Sequence, residues 1–365
     1  MNARSSAIVV SMSMIFAATG FGQSVDLSTR KLSEHVYLVS GAGGNVTVLV
    51  TTAGVLVVDA GNRRLGDRVA SAIRTVASLP VRYLVYTHYH DDHWSGAWAF
   101  PRPILVVSHD RTRAEIAEFY QSTAADLTRR VAALEEKVRT LGSSGDASSV
   151  STQKELEEAR AARDVYRRHE PVLPEFTFND RLTIHLGDQV VDLMYLGPAH
   201  TDGDIIAYFP REKVLHLGDL LYTNGWVPRL DADAGASADN WLEIFDRVMS
   251  IDARTYVPGH GDVQDREGVR KHIGFAAGYL RELKTEVGKL FRDGVPLDEV
   301  KRRVRMPAYE TSDMNKMLLP YNIDGVYREL ERRKAAGKWV ALVPSRPGEP
   351  AVAAPLDSVP ASALL

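Results

Sequence analysis

The run Thr87-His88-Tyr89-His90-Asp91-Asp92-His93 places three imidazoles and two carboxylates within six residues, His88 to His93, directly behind an apolar stretch. Neutral imidazole and carboxylate are ligands of zinc and related divalent metals. Side chains two apart on an extended segment share a face, so His88 and His90 can grip one ion together. Asp92 and His93 follow where the strand turns into a loop and can reach a second ion nearby. The alternative, a polar loop with chance histidines, is disfavoured because eleven histidines in 365 residues seldom bunch this way. Further candidates end other apolar runs beside Gly or Pro: His200 in Gly197-Pro198-Ala199-His200, Asp219 in Leu217-Gly218-Asp219, and His260 in Pro258-Gly259-His260. Loops at strand ends commonly carry catalytic groups on a rigid sheet.

The ordered set His88, His90, Asp92, His93, His200, Asp219 and His260 resembles the H-x-H-x-D-H, His, Asp/Cys, His pattern of the metallo-β-lactamase superfamily, over roughly Leu32 to His260. The resemblance implies two Zn2+ ions, with other divalent metals possible. His88, His90 and His200 would hold the first ion, Asp92, His93 and His260 the second, and Asp219 would bridge them. Two cations about 3.5–4 Å apart would lower the pKa of a shared water to about 7. The implied chemistry is attack of a metal-bound hydroxide on a carbonyl. Asp92 either orients that nucleophile and carries a proton or only ligates. Many β-lactam-hydrolysing members have a cysteine where Asp219 stands; an aspartate there is similar to thioester hydrolases and lactonases.

Around these residues, Asp59 and Thr87 are candidates to fix imidazole tautomers, while Asp91 and Asp202 serve either that role or turn formation. Tyr222, three residues after Asp219, matches a lactonase tyrosine whose hydroxyl can bind substrate or an oxyanion; its other reading is half-buried packing. Trp94, Trp98 and Trp226 form either an apolar substrate wall or core. His35, His109, His169, His185, His216 and His272 are read as structural or surface residues, with His216 pointing away from the site.

Strands are expected at Val36–Val39, Val46–Val50, Val55–Val58, Val81–Tyr86, Ile104–Val107, Leu182–Ile184, Val190–Leu196, Ile205–Phe209, Val214–Leu217 and Thr255–Val257. Helices are expected at Leu65–Leu79, Trp241–Met249, Val269–Phe291, Leu297–Val304 and Ile323–Ala336. This pattern supports an α/β core of sheets covered by helices. The resemblance implies the αββα sandwich, with metals at one edge of the sheets. Between Asp110 and His169, Leu127, Val131, Leu134, Val138 and Leu141 alternate four and three apart, a heptad seam. It predicts a helical-hairpin insertion (about 110–170) that packs locally, walls the site or joins subunits into an oligomer.

Residues 1–22 read as a signal peptide, with Arg4, an apolar Ala7–Ala18 stretch and small residues before Gln23. The expected organisation continues as a catalytic domain at 23–270, extra C-terminal helices at 271–340 and a disordered Pro/Ala/Ser-rich tail at 341–365. A periplasmic or secreted location, with no stable membrane insertion after signal cleavage, follows from that reading. The absence of cysteine excludes disulfides and thiolate chemistry, and a net charge of −3 without a basic stretch argues against nucleic acid. No glycine spacing suits a nucleotide cofactor. The leading expectation is a zinc-dependent hydrolase of a small molecule that opens a cyclic amide or ester, with a β-lactam first. Lactone or thioester hydrolysis and a non-catalytic metal scaffold are the alternatives.

Overall fold

Short β-branched runs such as Val46-Thr47-Val48-Leu49-Val50 and Val55-Leu56-Val57-Val58 favour the pleated, packed surface of a sheet. In the computed structural model they lie at the centre of two stacked sheets. It describes residues 26–141, 147–223, 225–310 and 313–337; the expected signal segment 1–22 and tail 341–365 lie outside the described residues. The first sheet runs in chain order: β1 (Ser28–Lys31), β2 (Val36–Ser40), β3 (Val46–Thr51), β4 (Gly54–Val58), β5 (Val81–Val85), β6 (Leu105–His109) and β7 (Phe176–Phe178). It is antiparallel up to β4 and parallel from β4 to β7. The second sheet has the order β12 (Thr255–His260), β11 (Val214–Tyr222), β10 (Ile205–Phe209), β9 (Gln189–Tyr195) and β8 (Arg181–Leu186). Only its β11–β12 pair is parallel.

Three apolar layers hold the sandwich together. Leu49, Leu56 and Val85 of the first sheet meet Leu193, Ile205 and Val257 of the second. On the outer face of the first sheet, Val48, Val57 and Leu84 pack with Val69 and Ile73 of α1 (Gly66–Val76). On the outer face of the second, Leu215 and Tyr256 pack with Trp241 and Phe245 of α5 (Ala238–Ser250) and Leu280 of α6 (Arg266–Arg292). This is the αββα arrangement. Strands covered on both faces read as continuous apolar runs, which is why β4 and β11 are buried at every position. Among the described residues no helix is long and apolar enough to cross a membrane.

The insertion is a hairpin of α3 (Asp110–Leu141) and α4 (Ala147–Arg168). Val131 and Leu134 of its heptad seam meet Leu156 and Ala159, forming a small core of their own. At the other end of the chain, α6, α7 (Leu297–Arg303) and α8 (Asp313–Ala335) share the core of the second sheet. The expected boundary between residues 270 and 271 falls inside α6. Helix α8 begins ten residues ahead of Ile323 and carries Pro320 within it; Leu318 on one side and Ile323 on the other are both anchored in that core, which outweighs the lost backbone donor. Asn322 ties α8 to the loop before α5, donating to the Pro228 carbonyl and accepting from the Leu230 N–H, both at 2.8 Å. Glu329 accepts from the Ala238 N–H at 2.9 Å, so the start of α5 is capped from a distant helix.

Candidate metal centre

Strand β5 stops at Val85, and the chain then runs irregularly to His90 before the single helical turn α2 (Asp91–Trp94). His88 and His90 therefore lie just past the strand rather than on it. His200 sits in the β9–β10 loop, His260 ends β12, and Asp219 lies in β11 where the pairing with β12 shifts register around Gly218. Such a bulge re-aims the side chain that follows it. Two glycines leave space for the ligand candidates. A Cβ on Gly44 would stand 2.5 Å from the His93 ring, and one on Gly259 would stand 1.9 Å from Asp219 Oδ1.

The seven residues collect into two adjoining groups, one of His88, His90, His200 and Asp219, the other of Asp92, His93 and His260. In the first, His90 Nδ1 lies 3.1 Å from His88 Nε2 and 2.8 Å from His200 Nε2. The outward nitrogens are already committed. His90 Nε2 faces Asp231 Oδ2 at 2.9 Å, and His200 Nδ1 faces the Arg229 carbonyl at 2.6 Å. Thr87 donates its hydroxyl to Asp59 at 2.9 Å and so accepts from His88 Nδ1 at 3.0 Å. With each outward nitrogen carrying the proton, the three inward nitrogens present bare lone pairs to one another.

In the second group one ring is fixed in a similar way. His93 Nδ1 donates to Asp59 at 2.7 Å, which turns Nε2 toward His260 Nε2 at 3.3 Å. Asp92 Oδ2 lies 3.3 Å from His260 Nε2. Asp219 spans both groups: Oδ2 is 3.4 Å from His200 and 3.6 Å from His88, while Oδ1 is 3.2 Å from His93 and 3.4 Å from His260. Its Oδ1 is buried and has no hydrogen-bond partner.

This donor set fits divalent cations. Zn–N bonds of about 2.0–2.1 Å in a tetrahedron set neighbouring nitrogens about 3.3 Å apart, close to the separations found. Burial, and then the charge of His93, hold His88 well below the ordinary imidazole value; burial and then His90 hold His200 at about 3. Burial and then Arg229 lower His90. These rings are neutral at physiological pH, as ligation requires. In the second group burial also opposes charge on His93 and His260, but Asp219 and the neighbouring carboxylates outweigh it and raise both. Burial acts to raise Asp219 as well, yet the imidazoles of His260, His93 and His88 hold it well below the carboxylate range. Together the groups are a His/Asp cluster able to bind metal.

Asp59 and Thr87 stand beneath the cluster as expected from the sequence. Asp91 is turned to Arg63 and Tyr166, and Asp202 accepts from Arg111 Nε at 2.8 Å. The Tyr222 hydroxyl donates to Asp219 Oδ2 at 2.9 Å. Trp94 is core; Trp98 stacks on His169 at 3.7 Å; Trp226 lies over the His260 ring at 5.2 Å. His216 is outside both groups, held by Thr47 at 2.8 Å with Nε2 3.5 Å from Asp59. Asp231, Arg229 and Thr47 were missed. Asp231 also accepts from Tyr89 at 2.7 Å, and its loop has no periodicity or motif that could have marked it.

Half-buried Glu115 of α3 faces Asp202 in the His200 loop. Burial and then Asp202 push Glu115 of α3 up to about 10. Glu115 thus keeps a proton in the folded protein that it loses in the unfolded chain above its ordinary value of 4.5. Between those two values the folded state binds more protons, so stability falls as pH rises. Glu115→Gln is expected to flatten this slope and to raise the melting temperature at pH 8.5. At pH 5 the gap should nearly close, and parallel melting curves for the two proteins would refute the assignment.

The family model described as the Metallo-beta-lactamase superfamily matches residues 39–260. A linear primary-alkylsulfatase from Pseudomonas sp. (strain ATCC 19151) is 24% identical over 267 residues, 70% of this chain and 49% of that protein. A metallo-beta-lactamase type 2 from Bacteroides fragilis is 33% identical over 92 residues, 25% of this chain and 36% of that one. The chain thus spans about half the length, or less, of these curated relatives. Among solved structures, the sec-alkylsulfatase Pisa1 from Pseudomonas sp. superposes with a TM-score of 0.58 at 15% identity, covering 83% of this chain and 50% of that one.

Proposed function

The chain belongs to the metallo-beta-lactamase superfamily, and we propose that it is a dinuclear metal-dependent hydrolase, with two Zn2+ ions as its natural complement, acting on a small anionic ester. One observation carries the reading: imidazole nitrogens converge in two groups, with one oxygen of Asp219 turned to each. Divalent cations held there supply Lewis acidity, polarising an oxygen and acidifying water. The chain's own groups do the rest. Asp92, with 32% of its side chain exposed, is the open edge of the site and is placed to orient a water and carry its proton. Arg229 is partly exposed beside Asp231 and the cluster, where its charge suits an anionic substituent. Trp226 offers an aromatic face next to His260.

An alkyl sulfate is the first substrate on this reading, because the alkylsulfatase relative spans 70% of the chain. Opening of a β-lactam or related cyclic amide or ester stands second, supported by the 92-residue match and by the export expected from the N-terminal sequence. The test sets octyl sulfate, a cephalosporin and a lactone before metal-loaded protein and a His88→Ala control. Sulfate release lost in the control supports the first substrate. Turnover of the cephalosporin alone would replace it with the second, and a metal-replete protein inert to all three would remove the hydrolase reading.

Tyr222 is placed to hold Asp219 and to meet a developing negative charge. Tyr222→Phe is expected to lower kcat about 10- to 100-fold, since a hydrogen bond to a charged partner contributes about 1.5–3 kcal/mol and each 1.36 kcal/mol is tenfold in rate. KM should change little. Unaltered kcat on the best substrate would reduce Tyr222 to packing.

A further inference from the structure

The base of the helical hairpin meets the ligand loop through one buried arginine. Arg63 is 4% exposed, in the segment between β4 and α1. Its guanidinium lies 4.3 Å from the ring centre of Tyr166 on α4, with Trp94 at 5.4 Å and Tyr120 of α3 at 5.6 Å. Nη1 donates to the carbonyl of His169, the residue just past α4. Nη2 stands 3.6 Å from Asp91 Oδ1, and the Tyr166 hydroxyl donates to that same oxygen at 3.2 Å. Asp91 opens α2, the turn that carries Asp92 and His93. Three segments distant in sequence thus converge on one carboxylate beside the second metal group.

From this geometry we infer that Arg63, Asp91 and Tyr166 are positioning residues, a brace by which the hairpin holds Asp92 and His93 in place for the second metal. A buried guanidinium with unpartnered donors is costly, and Nε and Nη2 of Arg63 have no hydrogen-bond partner. Packing between hairpin and core would be served as well by an apolar side chain. The arginine adds a charge fixed against Asp91, and aromatic faces on both hairpin helices hold that charge by cation–π attraction. Removing either partner of a group that orients a metal ligand typically costs 10- to 100-fold in metal affinity. The distal half of the hairpin, with its own core around Leu134 and Leu156, lies outside this linkage. The inference rests on the dinuclear reading only where metal is measured.

The experiment compares Arg63→Met, Tyr166→Phe, Leu156→Ala and wild type in two ways. In metal-free protein, amide hydrogen exchange is followed over residues 91–97. In parallel, Co2+ is titrated and its visible absorption separates the first from the second equivalent. The brace predicts that Tyr166→Phe and Arg63→Met speed exchange in this segment at least tenfold, and weaken the second equivalent about 10- to 100-fold while sparing the first. Leu156→Ala should do neither, although it loosens the hairpin. Tyr166→Phe keeps the ring over Arg63 and removes only the hydroxyl, so it remains informative if Arg63→Met fails to fold. Unchanged exchange in Tyr166→Phe overturns the proposal, as does equal weakening of both equivalents. If wild type takes up no metal, the dinuclear reading fails and the exchange result alone decides the brace.

Discussion

Replacing Asp219 with asparagine is expected to lower turnover by about two to four decades and to leave at most one metal equivalent bound. The side chain is isosteric, so the effect isolates charge. Asp219 is 6% exposed and stands within 3.2–3.6 Å of His93, His200, His260 and His88. Removing one preorganised charge-stabilising group from a water-excluded site costs about two to three decades in kcat, and the lost metal equivalent extends that range. An asparagine could offer only its carbonyl to one group, and its NH2 would face the other as a donor where a ligand is needed. A metal-to-protein ratio falling from two toward one, with the far-ultraviolet spectrum unchanged, is the expected signature. Two equivalents bound at wild-type affinity would show that Asp219 does not join the groups.

How much of this centre the sequence revealed depends on how local each contact is. The run His88 to His93 is contiguous, so its residue types alone exposed it, and the placing of His200 past one apolar run and His260 at the end of another followed from those runs; Asp219, expected at a strand end, lies within β11, which continues to Tyr222. The ordering groups were another matter. Asp231 reaches His90 from a loop 141 positions away, and Arg63 meets Asp91 and Tyr166 only once three segments are folded together. Nothing in local periodicity marks such contacts. The elements show the same division. The heptad seam of α3 was legible because it is a pattern within one helix. Strand β1, with four exposed residues, forms only because β2 offers it an edge. The start of α8 was hidden by Pro320, whose local penalty is overridden by tertiary packing.

Asp59→Asn is expected to weaken the second metal group about 10- to 100-fold without touching any ligand, by inverting a tautomer. Asp59 follows β4 with φ of 64°, a left-handed conformation that asparagine also tolerates. The backbone is therefore preserved. Its carboxylate accepts from the Thr87 N–H at 2.8 Å through one oxygen, and from the Thr87 hydroxyl and His93 Nδ1 through the other. Burial alone would raise Asp59, but the His93 charge and the His216 and His93 hydrogen bonds hold it below its ordinary value. The stability it contributes is present at neutral pH and is lost as pH falls through that lowered value. An asparagine must keep its oxygen on the Thr87 N–H, because a backbone donor cannot change tautomer. Its NH2 then points at His93 Nδ1, donor against donor. The ring relieves this only by moving its proton to Nε2, the nitrogen that faces Asp219 and His260. That lone pair is then unavailable to a metal. Nitrogen chemical shifts of His93 in metal-free protein, recorded at a pH high enough to discharge the ring, would report the switch directly, and Co2+ titration its consequence. Retention of the Nδ1–H tautomer together with normal affinity for the second equivalent would refute the argument.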